Sequence, residues 1–283
     1  MSHPRARALQ PVLTKSIIQS RNNPKIKQIR ALLRRAERTR TGMALVEGRR
    51  LVIEALRFPD RVRQVIVAPE LLSNQQGYDL LHSQALVGVP LVAVSTEAFE
   101  SFSQKDSPQG IAAVITQRWE PLDQVRLSAG SMWVALEAIQ DPGNLGTILR
   151  TCDATGCHGV FLLDHTTDPY DPVALRASMG AIFSQRLVKA SFADFARWKA
   201  RHRYALIGTS DAAALHYRHV AYPSPVVILM GSERQGLLPE HQTTCDLMVR
   251  IPMRGSCDSL NIAVATAVVL YEVLDQRGQH AGK

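Results

Sequence analysis

From residue 43 onward, apolar runs of strand length alternate with stretches in which apolar positions recur every three or four residues. MALVEG (43–48), VRQVIVAP (62–69), PLVAVS (90–95) and IAAVIT (111–116) have the length and β-branched content of strands. Between them, GRRLVIEALR (48–57) and segments near 76–86 and 96–103 have helical spacing. This half reads as a small α/β domain. QRWEPLDQVRLSAGS (117–131) has no period and reads as a linker.

A second series begins with MWVALEAI (132–139) and continues with a helix at 144–157, a strand GVFLLD (159–164) and a helix around 172–182. A strand near 186–190, a helix near 192–202, and strands YALIGTS (204–210), VVILMG (226–231) and LMVRIP (247–252) follow, before a final helix at 259–276. Nearly uninterrupted apolar strands separated by helices predict a mostly parallel sheet covered on both faces. The expected organisation is therefore residues 1–116, a linker at 117–131, and an α/β domain at 132–283.

Ahead of both series, NNPKIKQIRALLRRAERTRTG predicts a single helix over 24–40, capped by Asn23, with Pro24 at its first position and Gly42 at its exit. Ile26, Ile29, Leu32 and Leu33 form its apolar stripe, and Lys25, Lys27, Arg30, Arg34, Arg35 and Arg38 crowd the rest. Charge sharpens this picture. Residues 1–63 hold 16 Lys and Arg against 4 Asp and Glu, whereas the remaining 220 hold 17 against 21, so the net +8 arises at the N-terminal end. Such asymmetry points to a polyanion, most simply nucleic acid, bound by those six cations.

Other features narrow the class. No run approaches the ~18 uncharged apolar residues of a membrane helix. The basic start MSHPRARALQPVLTK lacks the apolar core of a secretory signal, so the cytosol is the expected compartment. The four cysteines (152, 157, 245 and 257) include no CxxC pair, which argues against a structural metal site.

In parallel sheets ligands bind beyond the carboxyl ends of strands, and three such loops carry polar and glycine residues. In IQDPGNLGTILRTCDATG (139–156), Asp141-Pro142-Gly143 turns the chain, Asn144 opens a helix as a cap or a ligand, and Arg150 projects from an otherwise small and apolar helix. A guanidinium in that setting needs an anion or several acceptors. VVILMGSERQGL (226–237) runs from strand into a turn whose glycines let a ligand approach the main chain, without the lysine of a Walker loop. In VRIPMRGSCDSLNIAVATAVVLYEV (249–273), Asp258 or Ser259 caps a long apolar helix and Asn261 falls in its first turn.

Together, NLGTILRTCDATG, GSERQGL and IPMRGSCDSLNIAVATA resemble the three motifs of the SpoU (TrmH-type) branch of the SPOUT RNA methyltransferases, across about 131–276, with RASMGAIF (176–183) similar as well. Residues 43–116, ending in the SPQG turn, resemble the substrate-binding domain often found ahead of that catalytic domain. The resemblance implies methyl transfer from S-adenosylmethionine to a ribose 2′-hydroxyl of RNA. It also implies a deep trefoil knot and a homodimer whose active site draws on both chains. It implies that the backbone around Leu229, Gly231, Ile251, Met253 and Leu260 cradles the cofactor. Asn144, Arg150, Glu233, Ser259 and Asn261 would then form the polar site around the reacting ribose, with no metal. Cys152 and Ala263 stand where alanine and serine are commoner in the family, both small exchanges.

A guanidinium is effectively never deprotonated, so Arg150 is expected to grip phosphate and stabilise developing alkoxide charge rather than act as a base. The extra N-terminal domain favours ribosomal RNA of the large subunit over tRNA. A tRNA enzyme, a resistance-type ribosomal RNA methyltransferase and a non-catalytic ribosome assembly factor are the alternatives. Retention of Asn144, Arg150, Glu233 and Asn261 argues against the last.

Overall fold

The computed structural model describes residues 17–72 and 88–281; the helix expected near 76–86 lies outside them. The chain forms two compact units. One comprises residues up to Gln117 together with Tyr170–Phe183, and the other Arg118–Pro169 together with Ser184 onward.

Among the described residues of the first unit, the basic segment forms two helices rather than one, α1 (Pro24–Ala31) and α2 (Arg35–Thr41). At the expected cap, Asn23 accepts a hydrogen bond from the Lys25 amide at 2.9 Å. The helix then tightens, because the amides of Leu32, Leu33 and Arg34 each donate three residues back, and Arg34 turns extended. This break orphans backbone carbonyls, and Arg38 satisfies them. Its guanidinium donates to Leu32 O at 3.1 Å and Leu33 O at 2.8 Å, and pairs with Asp171 Oδ2 at 3.2 Å. Arg38 is 1% exposed. It is a structural residue and not one of the outward cations, which corrects the single-helix reading; Lys25, Lys27, Arg34 and Arg35 are exposed and Arg30 is half-buried.

Among the described residues, that unit also contains β1 (Met43–Glu47), α3 (Arg49–Leu56), β2 (Val62–Val67), β3 (Leu91–Ala93), α4 (Thr96–Glu100) and β4 (Ile111–Thr116). The sheet order is β1-β4-β2-β3, with β4 antiparallel to β1 and β2, and β2 parallel to β3. Ile26, Ile29 and Leu32 pack into its core with Phe99, Phe102 and Val114. Helix α5 (Pro172–Ser178) groups with this unit although it lies among the C-terminal motifs in sequence. It is capped by Asp171, whose second oxygen is the partner of Arg38.

The second unit holds seven strands: β5 (Met132–Glu137), β6 (Gly159–Leu163), β7 (Arg186–Ala190), β8 (Ala205–Thr209), β9 (Leu215–His216), β10 (Val226–Met230) and β11 (Leu247–Arg250). Their order is β7-β6-β5-β10-β8-β11-β9 and every pairing is parallel. β5, β6 and β10 are buried at every position, as continuous apolar runs require. One face packs Trp133, Phe161, Phe195, Trp198 and Leu229 together. Helices α6 (Pro142–Ala154), α7 (Phe192–His202), α8 (Pro239–Gln242) and α9 (Ile262–Ala281) complete the unit.

Two helix starts differ from expectation, and both bear on the site. α6 begins at Pro142, capped by Asp141 Oδ1, which accepts from the Asn144 amide at 2.7 Å. Asn144 is therefore not the cap, and its side chain is left for other partners. α9 begins at Ile262, and its cap is Asn261, whose Oδ1 accepts from the amides of Ala263 and Val264. Asp258 and Ser259 lie upstream in an exposed loop.

Candidate active site at the carboxyl ends of the parallel strands

Beyond the ends of β8, β10 and β11 lies an open cleft of about 760 Å³, within the ~300–1,000 Å³ usual for small-molecule and cofactor sites. Its walls are Thr209–Ala212, Met230–Leu237, Ile251 and Met253, and the stretch 258–262. At the centre, the main chain doubles back. Ser232 and Gly236 exchange two backbone hydrogen bonds of 3.0 Å, and Gly231 packs against that turn. A Cβ on Gly231 would come within 2.2 Å of the Gly236 carbonyl carbon and 2.4 Å of the Leu237 nitrogen. Only glycine lets the strand end and the returning loop lie so close.

One edge of the cleft carries a chain of polar groups. Glu233 accepts from the Gln140 amide at 3.3 Å, the Asp141 amide at 3.4 Å and Asn144 Nδ2 at 3.3 Å. Asn144 Oδ1 in turn accepts from Asn261 Nδ2 at 2.9 Å. Three sequence-distant segments, the starts of α6 and α9 and the loop after β10, thus meet through one network of neutral amides ending on a carboxylate.

Of the expected site residues, Asn144, Gly231, Glu233, Ile251, Met253, Ser259, Leu260 and Asn261 all line the cleft. Ser259 stands apart from the network, and its hydroxyl lies 3.2 Å from Asp258 Oδ1. Leu229 does not line the cleft; its side chain belongs to the core, since strand alternation turns it away from the neighbouring Met230. Arg150 is not at the cleft either. It is exposed, with no hydrogen bond or ion pair among the described residues. Six residues after Asn144 on one helix, it is rotated by roughly two-thirds of a turn, and so points elsewhere. The sequence reading passed over Thr209, Ser210 and Asp211, although the end of YALIGTS is itself the carboxyl end of a parallel strand.

Behind the loop lies a buried acid. Glu137 Oε1, at the end of β5, lies 2.7 Å from His241 Nδ1 of α8, and the His241 ring stacks on Phe192 at 3.5 Å. Glu137 Oε2 is buried with no hydrogen-bond partner among the described residues, and burial pushes the carboxyl above the usual carboxylate range. The next residue, Gln242, lines the cleft and donates to Leu237 O at 2.9 Å.

Comparison with known proteins decides the family. The profile of the SpoU rRNA methylase family matches residues 131–271. The chain belongs to this family. An MRM3-like substrate binding domain matches residues 23–113. The chain is 30% identical, over 90% of its length and 98% of the relative's, to the 23S rRNA (guanosine(2553)-2′-O)-methyltransferase RlmP of Bacillus subtilis. It is 32% identical, over 90% of its length and 91% of the relative's, to the 23S rRNA (uridine(2479)-2′-O)-methyltransferase of Streptomyces viridochromogenes. Among solved structures, an AdoMet-bound rRNA methyltransferase from Sinorhizobium meliloti superposes with a TM-score of 0.82 at 33% identity, covering 91% of this chain and 97% of that one. The SpoU fold expected from the motifs, a mostly parallel α/β domain preceded by a smaller α/β domain, is the fold observed. Among the described residues, no helix is long and apolar enough to cross a membrane.

Proposed function

We propose that this SpoU-family chain transfers a methyl group from S-adenosylmethionine to a ribose 2′-hydroxyl of RNA, with large-subunit ribosomal RNA as substrate. The observation that carries the reading is the polar chain Asn261–Asn144–Glu233 at the edge of the glycine-built cleft. The bound cofactor supplies an electrophilic methyl group. The backbone around Gly231, Ile251, Met253 and Leu260 would hold the cofactor, and the absence of a Cβ at Gly231 suits close approach of a ligand to the main chain. Asn144 and Asn261 present amide groups that hold the ribose by hydrogen bonds, since a poor nucleophile must be aligned with the methyl before it reacts. Glu233 fixes the direction in which Asn144 faces. Ser259 lies beside these groups on the cleft wall.

Ribosomal RNA is favoured because both 23S rRNA enzymes align with some nine-tenths of the chain, beyond the catalytic segment alone. The exposed Lys25, Lys27, Arg34 and Arg35, with Arg30, supply the sequence-independent grip on phosphates. The protein works as a homodimer in the cytosol. Val264, Tyr271 and Leu274 lie along one face of α9 at 49%, 52% and 39% exposure, a stripe suited to a second copy. Arg150, exposed and with no side-chain partner among the described residues, then serves the partner's cleft, where its permanent charge grips phosphate and stabilises the developing alkoxide. Mixed dimers of Arg150→Ala and Glu233→Ala chains should regain activity at one of their two sites.

The direct test is methyl transfer from labelled S-adenosylmethionine to total RNA of a strain lacking this protein. The RNA is then sized and digested to nucleosides. Label in a 2′-O-methyl nucleoside of large ribosomal RNA is the expected result. Label in tRNA would move the substrate, and label on a base would overturn the chemistry.

A further inference from the structure

The carboxylate of Glu233 receives two of its three hydrogen bonds from backbone amides of one short connection, the turn from β5 into α6. That turn is not a relaxed one. Ala138 has φ of +52°, a conformation that costs a residue with a Cβ on the order of 1–2 kcal/mol. Such strain persists only where surrounding contacts hold it. Here the contacts come from the loop after β6. The Thr167 amide donates to Ile139 O at 2.7 Å, and the Thr166 hydroxyl, whose one proton has Leu163 O at 2.7 Å as its nearer acceptor, lies 3.1 Å from Leu136 O. The Ala138 amide also reaches Leu163 O, at a long 3.4 Å, and a further tie is the side chain of Gln140. Its Nε2 donates one hydrogen to Ala138 O and the other to His165 O, both at 3.0 Å, which uses both donors of the amide. The same residue's backbone amide faces Glu233 Oε2.

We infer that Gln140 is a positioning residue for Glu233. Its side chain pins the strained Ala138 turn to the 165 carbonyl, which aims the 140 and 141 amides at the carboxylate and, through Asn144, sets the polar edge of the cleft. Gln140 acts through Glu233 and touches no reacting atom. This inference rests on the methyltransferase reading above and deepens it.

Gln140→Met keeps length and volume but removes both donors. Turnover at saturating RNA and cofactor is expected to fall about tenfold, with the KM for each within about twofold of wild type. Ala138→Gly in the Gln140→Met background should recover most of that loss, because glycine holds a positive φ without a tether. In a Glu233→Gln background, Gln140→Met should add little further loss. Wild-type turnover in Gln140→Met would overturn the inference. So would failure of Ala138→Gly to recover activity, or an equal loss from Gln140→Met with and without Glu233. Each of these leaves methyl transfer by the wild-type enzyme intact. Absence of methyl transfer from the wild type itself would remove the functional reading, and the inference with it.

Discussion

Gly231→Ala puts the cleft's construction to a quantitative test. The added Cβ would lie 2.2 Å from the Gly236 carbonyl carbon, 2.4 Å from its oxygen and 2.4 Å from the Leu237 nitrogen. Carbon atoms rest at roughly 3.5–4.0 Å, so the loop must retreat by more than about 1 Å. All three atoms are backbone, and no rotamer change relieves the clash. Retreat breaks the paired 3.0 Å hydrogen bonds between Ser232 and Gly236. Two backbone hydrogen bonds are worth about 1–3 kcal/mol together, and forced packing adds about 1–3 kcal/mol. Because this loop is a wall of the cleft, opening it moves much of that cost onto ligand binding. A cost of about 2 kcal/mol corresponds to roughly 30-fold weaker affinity. Titration calorimetry with S-adenosylmethionine, paired with thermal melting, reads both quantities. Two controls bracket the result. Gly255→Ala meets nothing within 4 Å and should be neutral, while Gly236→Ala meets nothing but sits at φ +63°, costing about 1–2 kcal/mol of backbone strain. Cofactor affinity within about threefold of wild type in Gly231→Ala, at an unchanged melting temperature, would refute the argument that this close approach forms the cofactor wall.

Arg38→Ala should destabilise the protein by about 2–4 kcal/mol in chemical denaturation, since it strands two carbonyls and Asp171; Arg34→Ala and Arg35→Ala should leave stability alone and lower the salt slope of RNA binding. Glu137 holds its proton more tightly folded than unfolded, so its contribution is fully present below the unfolded value of about 4.3 and is lost as pH rises through the higher folded one. Melting temperatures should therefore move in favour of Glu137→Gln over wild type between pH 4 and 7, and a pH-independent difference would count against the buried acid. Cys257 is exposed in the loop between Met253 and Asp258, whereas Cys152 and Cys157 are buried and burial pushes the Cys245 thiol up to about 12; iodoacetamide at pH 8 should mark Cys257 first, and more slowly with cofactor present, as peptide mass mapping would record. Asn261→Asp keeps the cap on α9 but places an acceptor against Asn144 Oδ1. Its melting temperature should hold while turnover falls at least about tenfold, and normal turnover would remove Asn261 from the site.

The strands were legible because burial on both faces leaves continuous apolar runs, and β5, β6 and β10 are buried throughout. The break between α1 and α2 was not, because Leu32 and Leu33 keep the helical apolar spacing and the residue that relieves the break acts through a distant partner. Arg38 meets Asp171 across 133 positions of sequence. A run of cations reads as solvated until one of them finds carbonyls to satisfy. Arg150 shows the opposite limit. Motif resemblance groups it with Asn144, but the helical rotation between positions six apart carries it away from its own cleft. At Leu229 only the backbone is expected near the cofactor; strand alternation turns its side chain into the core, while the cleft meets Met230 and Gly231.

The polar edge shows why these residue types are needed together. Asn261 spends its carbonyl oxygen on the first amides of α9, which forces its Nδ2 outward as a donor. That donor claims the Asn144 oxygen, so Asn144 must turn its own Nδ2 toward Glu233. Asn144 is free to do this because Asp141, not Asn144, caps α6. The direction of every amide is thus set by a helix cap at one end and a carboxylate at the other, with no rotamer or flip left undecided. Aspartate at either asparagine position would preserve a cap or a shape and still reverse the polarity. The site's order is therefore a property of donor and acceptor sequence across three segments, which no one of the three motifs contains by itself.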